Sequence, residues 1–308
     1  MGMVEAVRSL DDPLSRDRLV HAMTPAGDWL ALAARTDKLV AEARRRHDTW
    51  PTATCALGRA LTGALLLAGL QKGQERVLLE LMGNGPLGMV VAEATGTGAV
   101  RGYVQQPHVE LPRRPDGKID VGAAVGKGTL WVIKELGLRE PYRGAVPLVS
   151  GEIAQDLAHY LASSEQRRAA VALGVSLDEE GNVLRAGGLL VEALPGATDA
   201  SIRAMEARLQ AMPTITHQLE EGKKPEELLQ SLFADMNLQI LSSQPAAFTC
   251  SCSRQRLGAG LLSLGEEAIR EMIAKDHGAQ LVCRFCGRTY EFSEGELRQL
   301  LAKLGDAG

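Results

Sequence analysis

The first two hundred residues alternate short apolar runs with two longer helical patterns. "DWLALAART" has the apolar density of a strand, whereas "DKLVAEARRRHDTW" and "TCALGRALTGALLLAGLQ" have helical spacing. The second of these is apolar on nearly every side, which places it at the centre of a core. Three strand-like runs follow, "ERVLLELMG", "LGMVVAEAT" and "AVRGYVQQ", separated only by "GNGP" and "GTG". Such short glycine-bearing links predict an antiparallel meander. "GTLWVIKELG" adds a strand, and "GEIAQDLAHYLASSEQ" a helix with Ile153, Leu157 and Leu161 on one face. "RRAAVALGVSLD" and "NVLRAGGLLVEALPG" pair across the turn residues "EEGN". Hairpins outnumber crossovers, so the fold class is α+β: a sheet-rich N-terminal domain with packed helices over residues 1–196.

From 197 to 244 the strands are expected to stop. "ATDASIRAMEARLQAM" is amphipathic, with Ile202, Met205, Leu209 and Met212 at helical spacing and Thr198 or Asp199 as cap. After the charged break "EEGKKPEE", a second helix starts with Pro225 in its first turn and carries Leu228, Leu229, Leu232, Phe233 and Met236. This is a helical linker. The remaining residues, 245–308, form a small C-terminal domain. There Ser263 and Glu266 have capping-box spacing before a helix ended by Gly278, and Ser293 with Glu296 repeats the device before "LRQLLAKLG". "AQLVC" and "RTYEF" are expected as two short strands.

Composition narrows the class. The chain has 308 residues, 45% hydrophobic and 23% charged, with a formal net charge of −4. That is a globular balance without the positive excess that collects phosphates. The start lacks the apolar core of a secretory signal, and Ala6 stands where a myristoylation motif needs Ser or Thr. The greasy stretch 60–70, between Arg59 and Lys72, is about half a membrane span. A buried helix and a cytoplasmic location with no membrane contact are expected, and in that compartment thiols stay reduced.

Four of the five cysteines fall in two tight pairs, "FTCSCSRQR" with Cys250 and Cys252, and "LVCRFCGRTY" with Cys283 and Cys286, about thirty residues apart. Zinc takes four tetrahedral ligands and accepts cysteine thiolates, and so small a region needs a staple. One zinc per chain on these four sulfurs is the expectation. Gly287 allows the C-x-x-C hairpin to turn tightly. Arg254, Arg256, Arg284 and Arg288 lie beside the cysteines and can offset the cluster's negative charge. The C-x-C pair leaves its sulfurs so close that each neighbouring pair can also close as a disulfide; thiolates beside cations are what oxidants attack. Cys55, inside the apolar helix, is expected to be a small buried hydrophobe.

The run C-S-C-S-R-x-R, followed after a helical stretch by C-x-F-C-G-x-x-Y-x-F, closely resembles the zinc domain of the heat shock protein 33 family of redox-regulated bacterial chaperones. The likeness extends to "SSEQ" at 163–166 and "AGGLLVEALPGA" at 186–197, and spans nearly the whole chain. The resemblance implies a reduced, zinc-bound, inactive monomer. It further implies that oxidation joins Cys250 with Cys252 and Cys283 with Cys286, releases the zinc and loosens the linker. The exposed surface then holds unfolding client proteins without ATP, for later transfer to ATP-dependent refolding chaperones. A homodimer is an option for the oxidised form. The latch or client-binding candidates are Leu228, Leu229, Leu232, Phe233 and Met236, and no catalytic residue is implied.

Rival classes fare worse. "VGAAVGKGT" resembles a phosphate loop, but Val121 takes the place of the first glycine and Gly128 follows Lys127 directly. It reads as a glycine-rich turn. A nucleic-acid-binding zinc ribbon needs a basic footprint, yet residues 246–308 hold eight Lys or Arg against eight Asp or Glu, and 197–244 four against seven. No nucleophile motif supports a hydrolase.

Overall fold

Two antiparallel-rich sheets sandwich one buried helix, α2 (Pro51–Gly69). Pro51 fits its first turn because the missing N–H there has no partner to lose. Leu57, Leu61, Leu65 and Leu66 are fully buried, and Gly63 sits where any Cβ would meet Leu157 Cδ1 at 2.5 Å. α2 is long and apolar enough to cross a bilayer, but 94% of its most apolar window is buried inside the protein. The greasy stretch is therefore part of a longer core helix.

The computed structural model describes residues 17–305 except 72 and 138. The N-terminal stretch weighed for a signal or a lipid, and Lys72, lie outside the described residues.

The first sheet contains β1 (Arg18–Met23), β2 (Trp29–Arg35), β8 (Arg168–Leu177), β9 (Val183–Ala193) and β10 (Gln239–Pro245), in the order β10-β1-β2-β9-β8. The second contains β3 (Arg76–Gly83), β4 (Met89–Thr95), β5 (Ala99–Val104), β6 (Gly128–Glu135), β7 (Tyr142–Pro147) and β11 (Ala247–Phe248), in the order β11-β5-β4-β3-β6-β7. The expected meander is β3-β4-β5, and the expected hairpin is β8-β9. Helices α1 (Asp37–His47) and α4 (Ala154–Ser163) complete the packing around α2. The glycine-rich turn is in part a short helix, α3 (Val121–Val125), capped by the Asp120 side chain. Beyond it, Lys127 N–H donates to Asn84 Oδ1 at 2.9 Å, so this backbone is engaged by the protein itself.

The linker pattern gives α5 (Asp199–Ala211), α6 (Ile215–Glu220) and α7 (Pro225–Leu232). Thr198 caps α5 and Pro225 opens α7, as the sequence predicts. The strands do not stop at 197, however. Residues 239–245 pair with β1 as β10, and 247–248 run parallel to β5. The polar run "ILSSQP" has no alternation to announce a strand; pairing with β1 decides it.

The chain divides into two compact units, Met1–Thr249 and Cys250–Gly308, and the linker helices belong to the first. In the second, two helices stand where one was expected, α8 (Arg254–Leu262) and α9 (Glu266–Asp276). They are followed by the strands β12 (Gly278–Val282) and β13 (Thr289–Ser293) and by α10 (Glu294–Gly305). Ser263 ends α8 rather than capping α9, whose N-cap is Gly265. Nor does Gly278 terminate α9: His277 takes the left-handed position at φ 52° and Gly278 opens β12. The Ser293–Glu296 box forms, with Glu296 Oε2 accepting from Ser293 N–H at 2.8 Å and Ser293 Oγ accepting from Glu296 N–H at 3.4 Å. Leu261, Ile269, Phe292 and Leu297 are the buried centre of this unit. That is a very small core.

Candidate metal centre

The C-x-x-C hairpin is built by its own backbone. Cys283 O accepts the N–H groups of Cys286 and Gly287 at 3.2 and 2.8 Å, and Cys283 N–H donates to Arg288 O at 2.9 Å. Closing so tight a turn puts Gly287 at φ 69°, a conformation cheap only for glycine. The turn aims the N–H of Phe285 at the Cys283 sulfur and that of Arg288 at the Cys286 sulfur. The C-x-C pair lies in extended chain before α8, whose N-cap Ser253 accepts from Arg256 N–H.

The four sulfurs converge. Cys250, Cys252, Cys283 and Cys286 have Sγ atoms all within 4.8 Å of one another; Cys250 to Cys283 is 3.8 Å and Cys252 to Cys286 is 3.4 Å. Tetrahedral thiolates at ~2.3 Å from a zinc ion would stand ~3.8 Å apart. The donor set and its spacing fit such an ion, and no disulfide joins any of these cysteines. Among the described residues no histidine joins the group.

Burial pushes the Cys283 thiol up and the Cys286 thiol up to about 12. Burial also raises Cys252, but hydrogen bonds from the Tyr290 hydroxyl and the other thiols outweigh it and bring it down to about 7. Four thiolates gathered this closely would need a cation among them to offset their charge. Tyr290 is the side chain at the cluster that the sequence reading did not single out. Its hydroxyl lies 3.2 Å from Cys252 Sγ and 3.3 Å from Cys252 O. The signal was available, since Tyr290 lies in the same motif as the C-x-x-C pair.

The arginines divide. Arg288 bonds to Tyr290 and lies within electrostatic reach of Cys252 and Cys286. Arg256 donates to Ser251 O at 3.2 Å and Oγ at 2.9 Å, bracing the residue between Cys250 and Cys252. Arg254 turns to Glu296 and stacks over Phe292, its guanidinium carbon 4.6 Å from the ring centre, so it ties α8 to β13 and α10. Cys55 is not a member of the cluster; it is 1% exposed, and burial pushes its thiol up to about 11.

The candidate latch residues are buried together in the first unit. Leu228, Leu229, Leu232 and Phe233 pack with Val20, Ala22, Trp29, Ala31, Leu189 and Val191, and Met236 packs at the margin. The Trp29 and Phe233 rings meet edge to face at 6.2 Å. Arg18 of β1 clamps Glu226 of α7 with two bonds, at 2.9 and 2.7 Å. The fit is incomplete under α5. An open groove of ≈ 610 Å³ lies between α5 and the sheet, lined by Trp29, Ala170, Val191, Ile202, Met205 and Leu209 among others. The buried Trp29 Nε1–H beside it has no acceptor among the described residues.

Comparison with known proteins gives a consistent result. The profile of one protein family, described as "Hsp33 protein", matches residues 17–293. A "33 kDa chaperonin" of Desulforamulus reducens is 42% identical over 289 residues, covering 94% of this chain and 98% of that protein. Another, of Limosilactobacillus fermentum, is 46% identical over 93% of this chain and 99% of its own length. The crystal structure of the 33 kDa chaperonin (heat shock protein 33 homolog) of Thermotoga maritima superposes with a TM-score of 0.87 at 35% identity, over 94% of this chain and 99% of that one.

Proposed function

The chain belongs to the heat shock protein 33 family of chaperones, and from that premise we propose that it is an ATP-independent holdase, switched on by oxidation of a four-cysteine zinc centre. The observation that carries this reading is the convergence of all four Sγ atoms within 4.8 Å. A bound zinc ion would neutralise the thiolates and hold the two cysteine segments of the small unit together. In that state the protein is a monomer with its client surface covered.

Oxidation follows from the same sulfurs. Cys250 with Cys252, and Cys283 with Cys286, each give up two electrons as an S–S bond forms, and one peroxide per pair is reduced to water. What supports pairing within each segment is chain proximity. A disulfide sulfur is no longer a thiolate donor, so the metal is lost and with it on the order of 10 kcal/mol of coupled folding energy. The core of this unit is too small to replace that. The domain scheme of core 1–196, linker 197–244 and switch 245–308 places the response in the middle segment. β10 and β11 lead from the latch helices to Cys250, so loss of order after Thr249 loosens the chain that holds α5, α6 and α7 down. The apolar face of the first sheet, around Trp29, Leu189 and Val191, is what they cover.

No reaction is catalysed in this scheme. Unfolding cytoplasmic proteins are the clients, ATP-dependent chaperones receive them, and neither nucleic acid nor membrane takes part; oxidised chains can pair as homodimers. The test is to measure zinc content and suppression of client aggregation on one sample before and after peroxide. One zinc per chain and no suppression should become zinc loss and suppression without nucleotide. Suppression that is full while zinc stays bound would sink the reading.

A further inference from the structure

The four sulfurs differ in what surrounds them. The hairpin aims its own backbone N–H groups, those of Phe285 and Arg288, at the sulfurs of Cys283 and Cys286. Cys252 lies in extended chain and is met by a side chain from 38 residues further on. The Tyr290 hydroxyl stands 3.2 Å from Cys252 Sγ and 3.3 Å from Cys252 O. Its ring fixes where that hydroxyl can reach. Tyr290 pairs with Leu281 across β12 and β13, shares a face of β13 with Phe292, and packs on the core of Leu261, Ile269, Phe292 and Leu297. Behind it, the Arg288 guanidinium donates to the phenol oxygen. A cation donating to that oxygen polarises the O–H towards sulfur, because hydrogen bonds in a chain strengthen one another. The arginines of the C-x-C segment have other partners, Ser251 for Arg256 and Glu296 for Arg254.

We propose that Tyr290 is a positioning residue for the cysteine centre: its hydroxyl, backed by Arg288, donates to the Cys252 sulfur, keeps it in the ligand set and slows its attack on peroxide. The inference rests on the four-cysteine zinc reading and assigns the reactivity of one ligand to a side chain outside the set. A thiolate ligand has lone pairs left over for a donor, and donors around a metal site fix ligand geometry and affinity. The same donor draws charge from the sulfur, which makes it a poorer nucleophile. In the attack, the Cys252 thiolate gives an electron pair to one peroxide oxygen, becomes a sulfenic acid and releases hydroxide. The Cys250 thiolate then displaces a second hydroxide as the S–S bond forms. A disulfide sulfur accepts hydrogen bonds poorly, so the tie from β13 to the C-x-C segment is lost along with the metal.

The experiment uses the reduced full-length chain, loaded with cobalt(II) in place of zinc, and two variants. Tyr290→Phe keeps the ring and removes only the hydroxyl, whereas Arg288→Gln keeps the hydroxyl and removes the cation behind it. Without the donor the sulfur electrons lie higher in energy. The sulfur-to-cobalt charge-transfer band of Tyr290→Phe should therefore move to longer wavelength, while the visible bands keep the intensity of a tetrahedral four-sulfur site. Arg288→Gln should move the band less, in the same direction. By chelator competition, the zinc affinity of Tyr290→Phe should fall about tenfold. Peroxide should release its zinc about threefold faster or more. A change in packing alone leaves the charge-transfer band in place, so the band separates positioning from bulk support. An unmoved band in Tyr290→Phe, or zinc release no faster than in the parent, would overturn the proposal. A parent chain without a tetrahedral cobalt–thiolate spectrum would defeat the zinc reading itself, whereas a normal parent spectrum matched by Tyr290→Phe defeats only this inference.

Discussion

Asp17 is a costly anion. It is buried, its Oδ2 accepts from Leu39 N–H at 2.6 Å at the start of α1, and its Oδ1 has no partner among the described residues. Burial pushes its carboxyl up to about 7, with Asp37 adding to the effect while the backbone bonds and Arg35 oppose it. The folded-state value lies above the unperturbed 3.8, so the folded chain favours the protonated form. The contribution is full below pH 4 and is lost as pH rises through 7. Asp17→Asn keeps an acceptor for α1 without the charge. It should raise the thermal midpoint by a few degrees at pH 8, roughly 1–3 kcal/mol, and by much less at pH 5. An equal shift at both values would refute the cause given. Gly287 offers a second residue-level test. Gly287→Ala forces a Cβ into φ 69°, at a cost of about 1–2 kcal/mol. Because folding of the unit and metal binding are linked, zinc affinity should fall about tenfold by competition with a chelator. Unchanged affinity would mean that the hairpin is not strained by the substitution.

The linker helix α7 shows how a well-formed element can be held down by a few side chains. α7 has a proline at its start, a Glu227 carboxylate accepting from Lys224 N–H at 2.7 Å, and an apolar stripe buried on the first sheet. Each buried leucine contributes roughly 1.5–3 kcal/mol. Replacing Leu228, Leu229 and Leu232 together with Ser removes most of that attachment and leaves hydroxyls in an apolar contact. Proteolysis within 197–244 should accelerate at least tenfold, and client binding should appear while zinc remains bound. A variant as protease-resistant and inactive as the parent would show that α7 is not the latch. In the proposed scheme, the open groove under α5 and the unpartnered Trp29 indole make α5 the helix expected to loosen first.

For the whole molecule, the decisive contrast is between two cores. The first unit is organised around α2 and two sheets, whereas the hydrophobic centre of the second, among the described residues, is Leu261, Ile269, Phe292 and Leu297. Chelation of the proposed zinc should therefore unfold residues 250–305 and spare the two large sheets. Hydrogen exchange should show protection lost in α8, α9, β12 and β13 and kept in α2, β3 and β4. Uniform protection after complete metal removal would contradict the linkage of metal to folding.

What the sequence by itself determined was whatever rests on local chemistry. The buried character of α2, the β3-β4-β5 meander, the caps at Thr198 and Ser293, and the glycine at position 287 all follow from short-range pattern and turn geometry. The C-x-C and C-x-x-C spacings point to a shared cation in the same way, because chelation needs only a few bonds of chain. Tertiary structure decided the rest. β10 and β11 are strands only because β1 and β5 offer them edges to pair with. Gly265 and His277 bound α9 because two helices, α8 and α9, must pack on one small core. Tyr290 meets Cys252 because β13 returns beside β12, which brings residues far apart in sequence within 3.2 Å. The place of β8 at the margin of its sheet is also a tertiary property, since a strand becomes marginal only when no strand pairs beyond it.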